Sequence, residues 1–294
     1  MSYFCRAISG ALVWLGLAAI CAAQSNGVSN AAGGSTSQPI ASNFSPRSAH
    51  ALAFGPAGAL YLGGQRQIWR LTPDATVQPV AELPASDADR PRVWSLAWHD
   101  GQLYGAAHDR IIRVAPDGTV TNLVEEKFPG PCGVTDLVFD PRGGCYVVFA
   151  NVVARCDANW QRTIVLDGTK TTPKLRWATS LRLDGEGRFW ISDVRSKRVL
   201  VATLNAAKVL EIQRTIDLPD YPEYFAISRG GAVYVGFPDG NSLARLDQPG
   251  EPRVWRFGEQ LQNPVAMSFG GEGFDPDLLY VAGGNGVTVV KGLK

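Results

Sequence analysis

The chain is short of the residues from which many sites are built. Its 294 residues include three histidines, two methionines and five cysteines. Cys5 and Cys21 fall in a leader-like N-terminal stretch. That leaves Cys132, Cys145 and Cys156, an odd number that argues against a disulfide framework. There is no Gly-x-Ser-x-Gly elbow, Walker-type loop, Cys-x-x-Cys pair or His-Glu-x-x-His helix. The usual signatures of serine hydrolases, P-loop nucleotidases, dithiol redox proteins and zincins are therefore missing. Neither sign of charge is in excess: 28 Lys+Arg against 27 Asp+Glu give a formal net charge of +1. No basic block interleaves with aromatics, so nucleic acid is not an expected partner. Past residue 23 no apolar run is long enough to cross a bilayer, and none is expected in the mature chain.

What is present begins with Met1–Ala23, where Arg6 precedes an apolar stretch from Ala7 to Ile20 and Cys21-Ala22-Ala23 supplies small residues for cleavage. This reads as a secretory signal and implies a periplasmic or secreted protein. Ile20 is too bulky to precede a lipid-modified Cys21. Residues 24–35, rich in Ser, Asn, Gly and Ala, read as a flexible linker that cannot bury enough apolar area to order itself. Residues 36–294 read as one domain.

That domain is a repeat. Ser95–Val124 holds four apolar runs of strand length, separated by His99-Asp100-Gly101, His108-Asp109 and Pro116-Asp117-Gly118. This is a four-stranded antiparallel meander, marginal alone because both faces need cover. A large apolar residue ends the first run of each copy: Phe54, Trp98, Phe139, Leu183, Ile227 and Phe269. These six recur at spacings of roughly 41–44 residues, the period of a propeller blade. The expected fold is therefore all-β, a six-bladed β-propeller of four-stranded antiparallel blades. The segment TSQPIAS at Thr36–Ser42 matches TVQPVAE at Thr76–Glu82, the fourth run of the first blade. The N-terminal strand is thus expected to close the last blade, leaving the ring no open edge.

Several residues invite functional readings. Cys145 and Cys156 fall opposite each other on one hairpin; in an oxidising compartment they could bond, or they could be two buried thiols, with Cys132 free in either case. His99 reads as a solvated turn residue. His108 lies in a turn on the face where the inner strands begin, and His50 starts an inner strand near the axis. Arg47, Arg92, Arg176 and Lys174 precede inner strands, and Arg66, Arg110, Arg195 and Lys197 lie in turns of the same face. A concave mouth lined by cations attracts anions. Trp94 and Trp177, also at inner-strand starts, could wall a small-molecule site or fill the channel.

Copies such as LAFGPAGALYLGG (Leu52–Gly64) and LVFDPRGGCYVVF (Leu137–Phe149) resemble the six-bladed propellers of the regucalcin/gluconolactonase-like, strictosidine synthase-like and NHL-repeat groups. The resemblance covers roughly Thr36 to the C-terminus. In the regucalcin/gluconolactonase-like enzymes, a Glu, two Asn and an Asp at the mouth hold a divalent cation that polarises a lactone or ester carbonyl. The corresponding positions here are His50, Thr135, Thr179 and Glu223, the last within YPEYFAIS (Tyr221–Ser228). Three of the four ligands are changed, and two hydroxyls are poor company for a hard dication. Calcium or zinc is the cofactor the resemblance implies, but no residue is assigned to a metal.

Two readings follow. The first is a small-ligand site at the mouth for a polar or anionic molecule, with a degenerate metal site and lactone or ester hydrolysis. There His50 and Glu223 would be the catalytic acid/base pair, and Arg92, Trp94, His108, Thr135, Arg176, Trp177 and Thr179 would bind substrate. The second is a non-catalytic scaffold that offers a propeller face to a protein or cell-surface partner. A monomer is expected in either case.

Overall fold

A computed structural model describes residues 36–41, 49–84, 92–124, 128, 133–141, 143–284 and 286–293. The expected signal and linker, Arg47 and Cys132 lie outside these residues. The described residues form six four-stranded antiparallel sheets. Blade one is Ala51–Gly55, Ala59–Gly63, Gln67–Leu71 and Val77–Glu82. Blade two is Ser95–His99, Gln102–Ala107, Arg110–Val114 and Val120–Asn122. Blade three is Val134–Phe139, Cys145–Phe149, Val152–Cys156 and Arg162–Asp167. Blade four is Ala178–Leu183, Phe189–Asp193, Arg198–Leu204 and Leu210–Asp217. Blade five is Phe225–Ile227, Val233–Phe237, Ser242–Arg245 and Arg253–Arg256. Blade six takes Ala266–Phe269, Leu279–Gly283 and Gly286–Lys291 from the end of the chain and Thr36–Ala41 from its beginning. Each first strand touches the first strands of the neighbouring blades, so the six first strands form the inner ring.

The turn chemistry explains why each run reverses. Between the first two strands of blade four, the Asp184 carboxylate accepts the backbone N–H groups of Glu186 (3.0 Å) and Arg188 (2.9 Å). Gly187 then takes φ +78°, a left-handed conformation that a side chain would strain. Asp-x-x-Gly is thus a turn with a mechanism, and Asp140–Gly143 repeats it in blade three.

The core lies between the blades. Six clusters of buried apolar side chains each straddle one pair of neighbours, including blades six and one. Across four of these interfaces an aromatic on the second strand of one blade packs against the recurring inner-strand residue of the next. Tyr61 stacks on Trp98 at 5.4 Å, and Tyr104 meets Phe139 at 4.9 Å. Tyr234 meets Phe269 at 5.5 Å, and Tyr280 meets Phe54 at 5.3 Å. At the other two interfaces Tyr146 shares a cluster with Leu183, and Trp190 with Ile227.

The N-terminal strand closes the last blade, as expected. Thr36 pairs with Lys291, Ser37 with Val290, Gln38 with Val289 and Pro39 with Thr288, and a bulge precedes Ala41 opposite Val287. The structure chooses between the two readings of the cysteine pair and overturns the reading of His99. Cys145 and Cys156 do sit directly opposite each other, but both are free, buried thiols. Counting back from the two-residue turn at Ala150-Asn151 puts them in a hydrogen-bonded pair, where side chains are held farther apart than in the alternate pair. His99 is not a solvated turn residue: it ends the inner strand and stacks on Phe139 at 4.1 Å. Among the described residues no helix is long and apolar enough to cross a membrane.

Because Thr36–Ala41 supplies the outer strand of blade six, truncation tests the closure. Deleting residues through Ser42 is expected to lower the melting temperature by roughly 10 °C or more by leaving a strand edge unpaired. Deleting only through Ser35 is expected to change it by about 2 °C at most. Coincident melts of the two truncations would rule the closure out.

Candidate functional site

All six inner strands begin on one side of the ring, which makes that side the mouth. The described lead-ins of blades two to six are each tied to a turn of the preceding blade. Val93 N–H donates to Gly64 O (2.9 Å), Val134 N–H to His108 O (2.7 Å) and Ala178 N–H to Ala150 O (3.1 Å). Lys197 Nζ donates to Pro219 O (3.4 Å), and Asn263 N–H donates to the Asn241 side-chain oxygen (2.8 Å). The contact at His108 is close enough to demand glycine. A Cβ on Gly133, which has φ +59°, would overlap the His108 carbonyl oxygen. His108 itself adopts φ 55°, and its buried Nδ1 has no hydrogen-bond partner.

The lead-ins of blades one and two form one corner. His50 is 7% exposed, with its ring 5.7 Å from that of Trp94. The guanidinium of Arg92 lies over the same indole at 5.4 Å. Loss of hydration, assisted by the nearby Arg92 charge, holds the His50 imidazole down at about 4. It is therefore neutral at physiological pH. His50 Nε2 and Trp94 Nε1 are buried without partners, and Ser95 Oγ shares that state. Buried polar atoms are nearly always paired, and each one left unpaired costs about 1–3 kcal/mol.

The lead-ins of blades four and five form a second corner. Glu223 donates its backbone N–H to Gly236 O (3.1 Å), and its backbone oxygen accepts the Thr179 hydroxyl (3.5 Å). Its carboxyl keeps part of its surface open but meets no cation and no donor among the described residues. Loss of hydration, with like charge from Asp239, pushes it up to about 7. Thr179 Oγ also pairs with Ser192 Oγ (2.9 Å). Trp177 is half-buried under the Arg195 guanidinium at 4.6 Å. Arg176 is exposed, with its backbone N–H held by Asp193.

The expected residues thus fall into two groups. His50, Arg92 and Trp94 come together, and Thr179 meets Glu223. No hydrogen bond or ion pair joins His50 to Glu223, and the lead-in of blade six intervenes between their blades. Thr135 spends its hydroxyl on Val148 O (3.3 Å) in the neighbouring strand.

The donor set can be judged against the divalent cation that the resemblance implies. One imidazole, one unpaired carboxyl in the other corner and two hydroxyls already bonded to protein do not make the oxygen-rich shell of a hard dication, nor a zinc triad. Among the described residues no group of three His, Cys, Asp or Glu could hold a metal ion. The residues do not fit the group.

Two carboxylates escaped the sequence reading. Asp136, fully buried, accepts from Ser180 Oγ (2.8 Å), Leu181 N–H (2.8 Å) and Arg182 (2.7 Å), which binds blade three to blade four. Asp193, also fully buried, accepts the Arg176 and Trp177 N–H groups (both 3.1 Å) and pairs with Arg198 (2.8 Å). Each stands where the other blades carry a small, aromatic or apolar residue, and that lone charge was the available signal.

No family model matches the chain, and no curated protein matches it. Solved structures with the same fold include a gluconolactonase from Xanthomonas campestris, at TM-score 0.67 and 16% identity over 83% of this chain and 85% of that one. A luciferin-regenerating enzyme is similar at TM-score 0.68 and 15% identity, over 88% and 96% of the two chains. Virginiamycin B lyase from Staphylococcus aureus is similar at TM-score 0.63 and 13% identity, over 88% and 100%. The chain is a six-bladed β-propeller, and at these identities the likeness is one of fold.

The two titrating groups pull stability in opposite directions. The folded-state value of Glu223 lies above its ordinary 4.5, so its contribution is fully present below about 4.5 and is lost as pH rises through about 7. His50 lies below its ordinary 6.5, so its contribution is present above about 6.5 and is lost as pH falls through about 4. Glu223→Gln removes only the first term. In urea melts the variant is expected to be more stable than the native chain by about 2 kcal/mol near pH 8, and equal to it near pH 4. The same difference at both values would show an unperturbed carboxyl.

Proposed function

We propose that the mouth binds a small polar molecule and hydrolyses a lactone or ester, with Glu223 transferring the proton. The observation that carries the reading is the partnerless Glu223 carboxyl, pushed up to about 7 in a ring of gluconolactonase-like architecture. A carboxyl that is half protonated near neutrality serves both halves of acyl hydrolysis. As carboxylate it takes a proton from the attacking water. As carboxylic acid it returns that proton to the leaving oxygen when the acyl C–O bond breaks. One water is consumed, and an acid and an alcohol result. His50, held neutral in the other corner, does not pair with Glu223; it is a weak base but a competent hydrogen-bond donor, so its part is to orient the substrate and polarise its carbonyl. Thr135, Thr179, His108, Trp177 and Arg176 would border the substrate. Export to the periplasm or medium belongs to the same proposal, supported by the composition of residues 1–23, and so does a monomeric state.

The test is titrimetric assay of the purified chain on a panel of aldono- and alkyl-lactones and aryl esters. Turnover is expected to rise with a pKa near 7, to survive chelators, and to fall roughly a hundredfold or more in Glu223→Gln, in keeping with loss of a general acid–base. Activity that is abolished by chelation and restored by calcium or zinc would overturn the metal-free mechanism. Absence of turnover across the panel would favour the binding scaffold.

A further inference from the structure

We propose that the corner formed by Arg92, Trp94 and His50 is a carboxylate-binding site. The proposal rests on the mouth being the ligand site, but not on hydrolysis taking place there.

Three donor side chains lie together at this corner with no acceptor among the described residues. His50 and Trp94 are joined ring to ring at 5.7 Å, and each carries a buried nitrogen with no partner. Arg92 lies over the same indole and close enough to His50 for its charge to act on the imidazole. Among the described residues no ion pair engages its guanidinium. Most other arginines on this face are answered within the protein. Arg66 pairs with Glu82, Arg110 with Asp109 and Arg198 with Asp193. A cation with two ring nitrogens beside it, and no acid among its contacts, calls for an anionic acceptor.

The geometry favours a carboxylate over a phosphate. A carboxylate is planar and singly charged, and its two oxygens match the fork of one guanidinium. Its remaining lone pairs can take the indole N–H and, in the tautomer protonated at Nε2, the imidazole N–H. A phosphate dianion would set two charges against one arginine. The corner also fits the chemistry proposed above. A carbonyl oxygen held by His50 becomes, after water adds and the acyl C–O bond breaks, one of two carboxylate oxygens in the same place. The product acid would then bind more tightly than the neutral compound from which it came.

Isothermal titration of the full chain with sodium acetate and sodium gluconate tests the site, with sorbitol as the neutral counterpart of gluconate. Both carboxylates are expected to bind saturably, with sorbitol at least about tenfold weaker than gluconate. Arg92→Gln should weaken carboxylate binding by about tenfold to a hundredfold, the usual effect of losing a hydrogen-bonded charge. Trp94→Phe, which keeps an aromatic ring but removes the N–H and part of the ring system, should weaken it by about three- to tenfold. Far-UV spectra and melts of both variants separate lost binding from lost folding. The proposal is overturned if neither carboxylate saturates up to about 50 mM, or if both folded variants bind as the native chain does. Arg92-dependent binding without turnover on any lactone or ester would retain this site and remove the hydrolase reading. Turnover without carboxylate binding would do the reverse.

Discussion

The contact on which this ring depends is the one between the second strand of each blade and the inner strand of the next. Tyr61 on Trp98, Tyr104 on Phe139, Tyr234 on Phe269 and Tyr280 on Phe54 repeat one arrangement around the molecule. Aromatic pairs of this kind bury large areas and prefer particular offsets, so they set the spacing between sheets as well as holding them. A single blade has nothing to offer either of its faces. All six clusters of buried side chains therefore lie between blades, and each blade is stable only in the company of two neighbours. Closure by Thr36–Ala41 follows from the same constraint, because a ring with one loose strand would expose both an edge and an interface.

This arrangement fixes the mouth. The lead-ins of blades two to six hang from turns of the preceding blades through hydrogen bonds such as Val134 N–H to His108 O. The side chains they present are consequently positioned by the blade packing beneath them. That rigidity allows polar atoms to remain buried and unpaired at His50, Trp94 and His108. In a mobile loop such atoms would rotate to find water, whereas here the backbone is held, His50 N–H by Gly63 O and Trp94 N–H by Ala106 O.

Carboxylates in this protein divide by what meets them. Asp136 and Asp193 are fully buried and fully answered by arginine, hydroxyl and backbone donors, and each stitches segments together. Asp184 shapes a turn and reaches Trp190 Nε1 at 2.8 Å. Glu223 differs because no described residue answers it, and loss of hydration, with the like charge of Asp239, displaces its ionisation toward neutrality. Burial marks all of these groups. Only the absence of a partner separates a carboxyl free for chemistry from one that holds the fold.

The sequence by itself determined the architecture. Repetition of an apolar run, a glycine-containing turn and a second apolar run specifies strand, reversal and strand through local chemistry alone. Six copies, with a matching segment at the far end, leave a closed ring as the arrangement that covers every face and edge. It also placed His50, Trp94 and Glu223 at inner-strand starts, since position within a repeat is a matter of counting. What it could not yield was which of these residues meet. His50 faces Trp94, and Thr179 faces Glu223, across gaps of 44 residues in each case, and such neighbours are set by how far each blade turns against the next. The partners of Asp136 and the stacking of His99 on Phe139 were hidden for the same reason. Hydrogen bonding and hydration at a site depend on atoms brought in from other blades. Whether a polar side chain is satisfied, and how it ionises, was therefore decided only when the ring was assembled.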